Sequence, residues 1–471
     1  MIVLFSKFNF RNFILYKLLC GVLIIFFCIN NTSILYASDL YDYQLTLNNT
    51  NIKTNSVTNN NNNTLGIKTH KSVDLQNNLV TIDYYIPYDR NDVSYEIHVR
   101  EKYFKDYNNH HNHYIKNNKH KPILFLLNSF GIPALEAFDL KTSYQFKQHS
   151  ILNTHTAMNI DDTHNNLSLS KEFSDKLPII NKDYSIMNNF AILGYDVWSI
   201  DFIGEGSSSY FKEMSVPPIK LSLNIRQQNQ LLLPLSSNEA VEQLNFVITQ
   251  IPILQNQANA TNKINLLGWS WGSVVMAKYA ILYSNKINKL IFYGAMHANK
   301  LDDKLQELFI KPFNDGMYNY QIIPWNIVLH HWTMMNNNLK PELSNELANM
   351  YGTLDIKNFY ANISDITNDA DNNDINNKND AMSIRRPNGP MYDLYNIWQG
   401  IPVYDITKIN NKSLVIYGKN DFFADHKLSS KLSRSSEVII PHATHWLIYE
   451  APAKLIFLNT VNNFLMSSND D

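Results

Sequence analysis

The pentapeptide Gly268-Trp269-Ser270-Trp271-Gly272 is the segment of this chain best suited to covalent chemistry. A serine hydroxyl is a poor nucleophile in water. It needs exposure on a tight turn, a base to take its proton, and donors for the oxyanion that forms. The apolar stretch Ile264-Asn265-Leu266-Leu267 precedes the motif and the helical run Val274-Val275-Met276-Ala277 follows it. That is the strand–turn–helix context in which a Gly-x-Ser-x-Gly can present a nucleophile. The flanking glycines relieve crowding at the turn, and the helix behind it places the positive end of its dipole under the developing anion.

Such a serine requires a carboxylate and then a histidine further along the chain. The apolar strand Ser413–Tyr417 runs into Gly418-Lys419-Asn420-Asp421, which puts Asp421 at a strand's carboxyl end, with Asp425 as its rival. The last apolar run, Val438–Ile440, leads through Pro441-His442-Ala443-Thr444 to His445, with His442 as the rival base. In this arrangement His445 takes the Ser270 proton and returns it to the leaving group, while Asp421 fixes the imidazole tautomer. The oxyanion needs two donors. The amide of Trp271 is one; the amide of Phe130, in the loop Asn128-Ser129-Phe130-Gly131, is the other, with Ser129 as its rival.

These residues need a rigid frame. Val80–Ile86 and Val93–Val99 read as an initial strand pair. Ile123–Leu127, Val197–Phe202, Ile264–Leu267, Leu290–Tyr293, Leu414–Tyr417 and Val438–Ile440 are continuous apolar runs of strand length. Continuous rather than alternating runs suit a parallel sheet covered on both faces. Helical patterns over Glu239–Ile253, Ser273–Tyr283 and Ala453–Phe464 separate them. The expected fold is therefore α/β, with a mostly parallel central sheet and helices on both faces.

Composition narrows the class. The chain has 471 residues, 45% hydrophobic and 17% charged, enough apolar surface for a core. A formal net charge of -2 gives no basic field, so nucleic acid is not an expected partner. The two cysteines, Cys20 and Cys28, both precede residue 38, which excludes a disulfide framework, a zinc cluster or a cysteine nucleophile in the rest of the chain. Lys7, Arg11 and Lys17, the apolar run Leu18–Ile29 and Ala37 before Ser38 follow the order of a cleavable export signal over residues 1–37. Export to a periplasmic or secreted location is expected, or anchoring if the signal stays attached. Asn numbers 65 and clusters in runs, so residues 38–79 read as linker and 107–120, 147–170 and 366–380 as solvated loops. The stretch holding His110, His111, His113 and His120 has no acid beside it and reads as loop rather than metal site.

The ordered set of segments resembles the α/β-hydrolase superfamily over roughly residues 80–465. It comprises the loop Asn128–Gly131, the turn Asp201-Phe202-Ile203-Gly204-Glu205-Gly206-Ser207, the elbow at Ser270, Asp421, His445 and the ending His445–Pro452. Many members carry His-Gly where Asn128-Ser129 stand, which puts the shape of that loop in question. Ser-Trp-Gly-Ser is similar to the elbow of proline iminopeptidases, but their Gly-Gly-Pro-Gly loop is missing. Relatives with aspartate or cysteine as nucleophile, the epoxide hydrolases, haloalkane dehalogenases and polyester synthases, are set aside by Ser270. The resemblance implies a core over 80–297, with a low-complexity insert at about 147–180, a mainly helical cap over 298–405 and the remaining core over 406–471. It implies a serine hydrolase of esterase or lipase type, needing no cofactor and no metal. Its partner would be a small-molecule or lipid ester, with a membrane surface as a further candidate. The cap's aromatic and Met residues, Trp332 and Trp398 among them, either form its own core or line an acyl pocket. A serine peptidase or amidase of the same fold, and a non-catalytic binding protein retaining it, are the competing readings.

Overall fold

The computed structural model describes residues 66–74, 77–105, 121–139, 176, 180, 184–221, 233–255, 263–335, 383–450 and 452–468. The strands, in chain order, are β1 (Lys68–Asp74), β2 (Leu79–Arg90), β3 (Val93–Phe104), β4 (Ile123–Leu127), β5 (Asp196–Asp201), β6 (Lys220–Leu221), β7 (Ile264–Trp269), β8 (Ile287–Tyr293), β9 (Met317–Tyr318), β10 (Tyr320–Pro324), β11 (Ser383–Pro387), β12 (Lys412–Gly418) and β13 (Ser435–Ile440). The helices are α1 (Ala134–Phe138), α2 (Ile186–Ile192), α3 (Ser237–Leu254), α4 (Trp271–Tyr283), α5 (Asp303–Phe309), α6 (Trp325–Met335), α7 (Gly389–Ile397) and α8 (Ala453–Met466).

Nine strands join in the order β1-β2-β3-β5-β4-β7-β8-β12-β13. From β5 to β13 every pairing is parallel. β4, β5 and β7 are buried at every residue, and β4 is an apolar run without alternation, as a strand covered on both faces allows. The other end is antiparallel. β2 and β3 form a hairpin whose two turn residues, Asn91 and Asp92, have φ of 50° and 59°. Asn and Asp tolerate that left-handed geometry, and it matches the twist of the flanking strands. The α/β reading of the sequence holds, with α1 and α2 against β5, α4 against β4, β7 and β8, and α8 against β12 and β13.

One expectation needs correction. Residues 68–74 lie inside the stretch read as linker, yet they form β1, the sheet's edge. Its Lys68, His70 and Lys71 are exposed, and a charged edge strand resists pairing with other chains while giving no apolar signal. Among its described residues, the segment between β8 and β12 holds three α-helices. Alongside α5, α6 and α7 it carries β10–β11, a two-stranded ribbon, and β9, which pairs with β6. The export signal, the His-rich stretch and the Asn-rich runs at 107–120, 147–170 and 366–380 lie outside the described residues. Among the described residues no helix is long and apolar enough to cross a membrane.

Candidate active site

β7 ends and α4 begins at Ser270, whose φ of 57° and ψ of -121° are strained for a residue with a side chain. The turn is tight on both sides. A Cβ on Gly268 would sit 2.7 Å from the Gly272 carbonyl oxygen, and one on Gly272 would collide with the carbonyl oxygens of Leu127 and Asn128. No side chain fits at either position, so both motif glycines are dictated by space. The Ser270 amide donates to the Tyr293 carbonyl at 2.9 Å. Its carbonyl accepts from Ser273 Oγ, which in turn accepts from the Met296 amide at 3.1 Å. The Ser270 hydroxyl lies 3.8 Å from Met296 Sδ and, among the described residues, makes no hydrogen bond to His445.

Asp421 and His445 are both buried and joined. Asp421 Oδ2 is 2.7 Å from His445 Nδ1. The other carboxylate oxygen accepts from the amides of Phe423 and Ala424 at 3.0 and 3.1 Å, which fixes the group's orientation. With Nδ1 engaged, His445 keeps Nε2 for another partner. Asp425 is committed elsewhere. It pairs with Lys431 at 2.7 Å, approaches His297 Nδ1 at 3.7 Å and accepts from the Lys427 amide at 3.0 Å. Burial opposes its charge, but His297 and Lys431 hold its carboxyl well below the usual range. His442 is exposed in the turn after β13.

The end of β8 links the elbow to this pair. The Tyr293 carbonyl holds the Ser270 amide, and its hydroxyl donates to the His445 carbonyl at 2.7 Å. The indole of Trp269, stacked on Tyr293 at 5.4 Å, donates to the same carbonyl at 3.0 Å. Gly294, at φ 50°, comes next. A Cβ there would lie 3.0 Å from both Asp421 Oδ2 and His445 Nδ1. Adjacent residues of one strand end thus touch Ser270, Asp421 and His445.

Asn128 spans the loop that faces the elbow. Its side-chain amide donates to the Ile132 carbonyl at 2.8 Å and to Glu205 Oε2 at 3.1 Å. The Asn128-Ser129 pair thus holds the loop with a side chain. Ser129 is buried and its carbonyl accepts from the Ile132 amide at 3.4 Å. Among the described residues the backbone amides of Phe130 and Trp271 donate no backbone hydrogen bond. The Arg386 guanidinium, from β11, lies 4.0 Å over the Phe130 ring.

Aromatic rings wall one side. Phe423 packs edge-on to His445 at 5.5 Å and stacks on Trp398 at 5.2 Å. Phe309 meets Phe423 at 5.1 Å and His331 at 5.0 Å. Burial, with the Arg386 and His330 charges, pushes His331 down to about 3, so it is neutral here. Trp332 is stacked on Trp446, the neighbour of His445, and donates to Glu450 at 2.7 Å. Trp398 and Trp332 therefore each stand one ring away from His445. Among the described residues no group of three or more His, Cys, Asp or Glu is placed to hold a metal ion.

A charged network at the end of β5 was not anticipated. Asp201, ending β5, accepts from the Ala134 amide at 2.8 Å, the Ser207 amide at 3.0 Å and His98 Nδ1 at 3.0 Å. His98 also contacts Asp83 at 3.0 Å, and Arg100 bridges Asp83 and Asp139. Burial alone would lower the His98 pKa, but hydrogen bonds to the two carboxylates push it up to about 9. His98 was legible only as one residue of a strand, because its partners come from β2 and β5.

The fold and this constellation define an α/β hydrolase. The α/β-hydrolase fold model matches residues 179–452, more than half of the chain, which therefore belongs to that family. Solved structures similar to this chain include the thioesterase domain from the curacin biosynthetic pathway, at 12% identity and TM-score 0.38, covering 80% of this chain and 99% of that one. The 2-hydroxy-6-oxo-6-phenylhexa-2,4-dienoate hydrolase of Rhodococcus sp. strain RHA1 is similar at 12% identity and TM-score 0.39, covering 81% and 98%. An α/β hydrolase enzyme from a Medee basin deep-sea metagenome library is similar at 13% identity and TM-score 0.40, covering 82% and 98%. No curated protein matches the chain.

Proposed function

We propose that the protein is an exported serine hydrolase that cleaves carboxylic esters, with Ser270 as nucleophile, His445 as base, and Asp421 orienting the base. The observation that carries this reading is the strained Ser270 elbow beside a buried Asp421–His445 pair 2.7 Å apart. The hydroxyl turns from Met296 toward His445 Nε2, which takes its proton as Oγ attacks the ester carbonyl. The tetrahedral oxyanion is received by the Phe130 and Trp271 amides. The C–O bond to the leaving group breaks, His445 protonates the departing alkoxide, and an acyl-Ser270 remains. Water, deprotonated by His445, attacks that acyl carbon; Ser270 leaves with the proton and the carboxylic acid is freed.

The aromatic wall around Phe423 favours an apolar acyl group, since each buried methylene contributes about 0.8 kcal/mol. Export rests on the composition of residues 1–38, and amino-terminal sequencing of protein from the native host should then begin at or near Ser38. A fluorophosphonate probe should label wild-type protein at Ser270 and leave Ser270→Ala unlabelled. p-Nitrophenyl esters of graded chain length should be hydrolysed, and aminoacyl-naphthylamides should not. Labelling that persists in Ser270→Ala removes the nucleophile from this reading, and turnover of the amides alone replaces ester with amide chemistry.

A further inference from the structure

Glu205 sits in the turn after β5 and is 3% exposed. Its Oε2 accepts from the Asn128 side chain, and among the described residues its Oε1 has no hydrogen-bond partner. The same Asn128 nitrogen donates to the Ile132 carbonyl at 2.8 Å and lies 3.4 Å from that of Ser129, the two residues that bracket Phe130 and Gly131. Glu205 is itself fixed by its backbone. Its amide donates to the Phe202 carbonyl and its carbonyl accepts from the Ser208 amide.

We propose that Glu205 is a positioning residue, which as a neutral acid anchors the oxyanion loop through Asn128, and whose ionisation sets an alkaline limit on the reaction. A buried carboxylate with one neutral donor is not stable as an anion, because nothing replaces the water it has lost. Burial pushes Glu205 up to about 8, with the Asn128 hydrogen bond opposing, the Asp201 carboxylate adding and the Arg386 guanidinium opposing. Asp201 reaches it from β5, Arg386 from β11 and Asn128 from the oxyanion loop. When Glu205 loses its proton to solvent, a negative charge appears on the partner of Asn128, and Asn128 lies in the loop whose Phe130 amide must receive another. The loop is drawn toward that charge through Asn128, and oxyanion stabilisation falls on both counts.

This inference rests on Ser270 being the nucleophile, and one experiment separates the two. The rate of fluorophosphonate labelling is followed against pH, from about 6 to about 9.5, in wild type, Glu205→Gln and Glu205→Ala, each with an unchanged circular dichroism spectrum. In wild type the rate should fall about tenfold as pH passes about 8. Glu205→Gln keeps a neutral acceptor for Asn128 and should match wild type near pH 7 but lose the alkaline fall. Glu205→Ala leaves Asn128 with only the Ile132 and Ser129 carbonyls to hold it and should label more slowly at every pH, by up to about 100-fold, since a misplaced donor costs that order. A wild-type rate that stays flat to pH 9.5, or an alkaline fall that persists in Glu205→Gln, overturns the proposal alone. An unlabelled wild-type protein overturns the nucleophile reading and this proposal with it.

Discussion

Asp421 Oδ2 stands 2.7 Å from His445 Nδ1, while Asp425, four residues on, turns to Lys431. Both carboxylates are buried and lie close in sequence, yet one faces the imidazole and the other a separate ion pair. Asp421→Asn should fold normally and lose roughly 10⁴ in turnover through the wrong imidazole tautomer. Asp425→Asn should keep turnover within a few-fold and lose roughly 1–3 kcal/mol of stability, because Lys431 and His297 lose their acceptor. Turnover and thermal melts of both variants decide the matter, and the opposite pattern would assign the acid to Asp425.

Met296 is buried with its sulfur against the Ser270 hydroxyl, so any acyl group attached to Ser270 must pass beside it. Met296→Leu keeps the volume and should leave the ester chain-length profile within about twofold. Met296→Ala should move the optimum toward bulkier acyl groups, by about fourfold in kcat/KM for each methylene newly accommodated. An unchanged profile in Met296→Ala would place the acyl group elsewhere.

His98 contributes pH-dependent stability. Its folded pKa is raised to about 9, so the contribution is complete below the ordinary value near 6.5 and is lost as pH rises through about 9. The difference corresponds to roughly 3 kcal/mol at most. The buried carboxyls Glu101, Asp196 and Glu205 are raised by burial too, and an acid raised on folding also stabilises less as pH rises. The readout is therefore the difference between wild type and His98→Asn in urea unfolding across this range. Parallel slopes for the two proteins would show that His98 does not titrate there.

Trp398 stacks on Phe423, which touches His445, whereas Trp332 is pinned to Glu450 and Trp446. Trp398→Ala should release the Phe423 wall and flatten the chain-length preference. Trp332→Ala should chiefly destabilise, by roughly 3–5 kcal/mol as for other buried aromatic truncations. Ester profiles and melts of the two variants separate these outcomes; if neither profile changes, the aromatic cluster is core and not pocket.

The sheet was legible because β4 is apolar throughout and β12 holds the apolar run Leu414–Tyr417, which a strand covered on both faces has reason to carry. Ser270 stood out because two glycines, an apolar run and a helical pattern coincide within a few residues. Asp421 and His445 were nameable because each ends or follows an apolar run. Asn128 and Glu205 were legible as members of two loops but not as partners. They are 77 positions apart and meet only because β4 and β5 are neighbours. His98 was hidden for the same reason, and β1 because a solvent-facing edge strand has no apolar stripe to reveal it.

The left-handed backbone at Ser270 sets chemistry and folding against each other at a single residue. Glycine is the residue to which that conformation costs least, and the hydroxyl is what the reaction needs. Ser270→Gly should therefore give a protein that is inactive and also harder to unfold, by on the order of 1 kcal/mol. Selection for robustness alone would erase the nucleophile. Its presence at so unfavourable an angle marks a position retained for what it does to other molecules, at the expense of the fold that holds it.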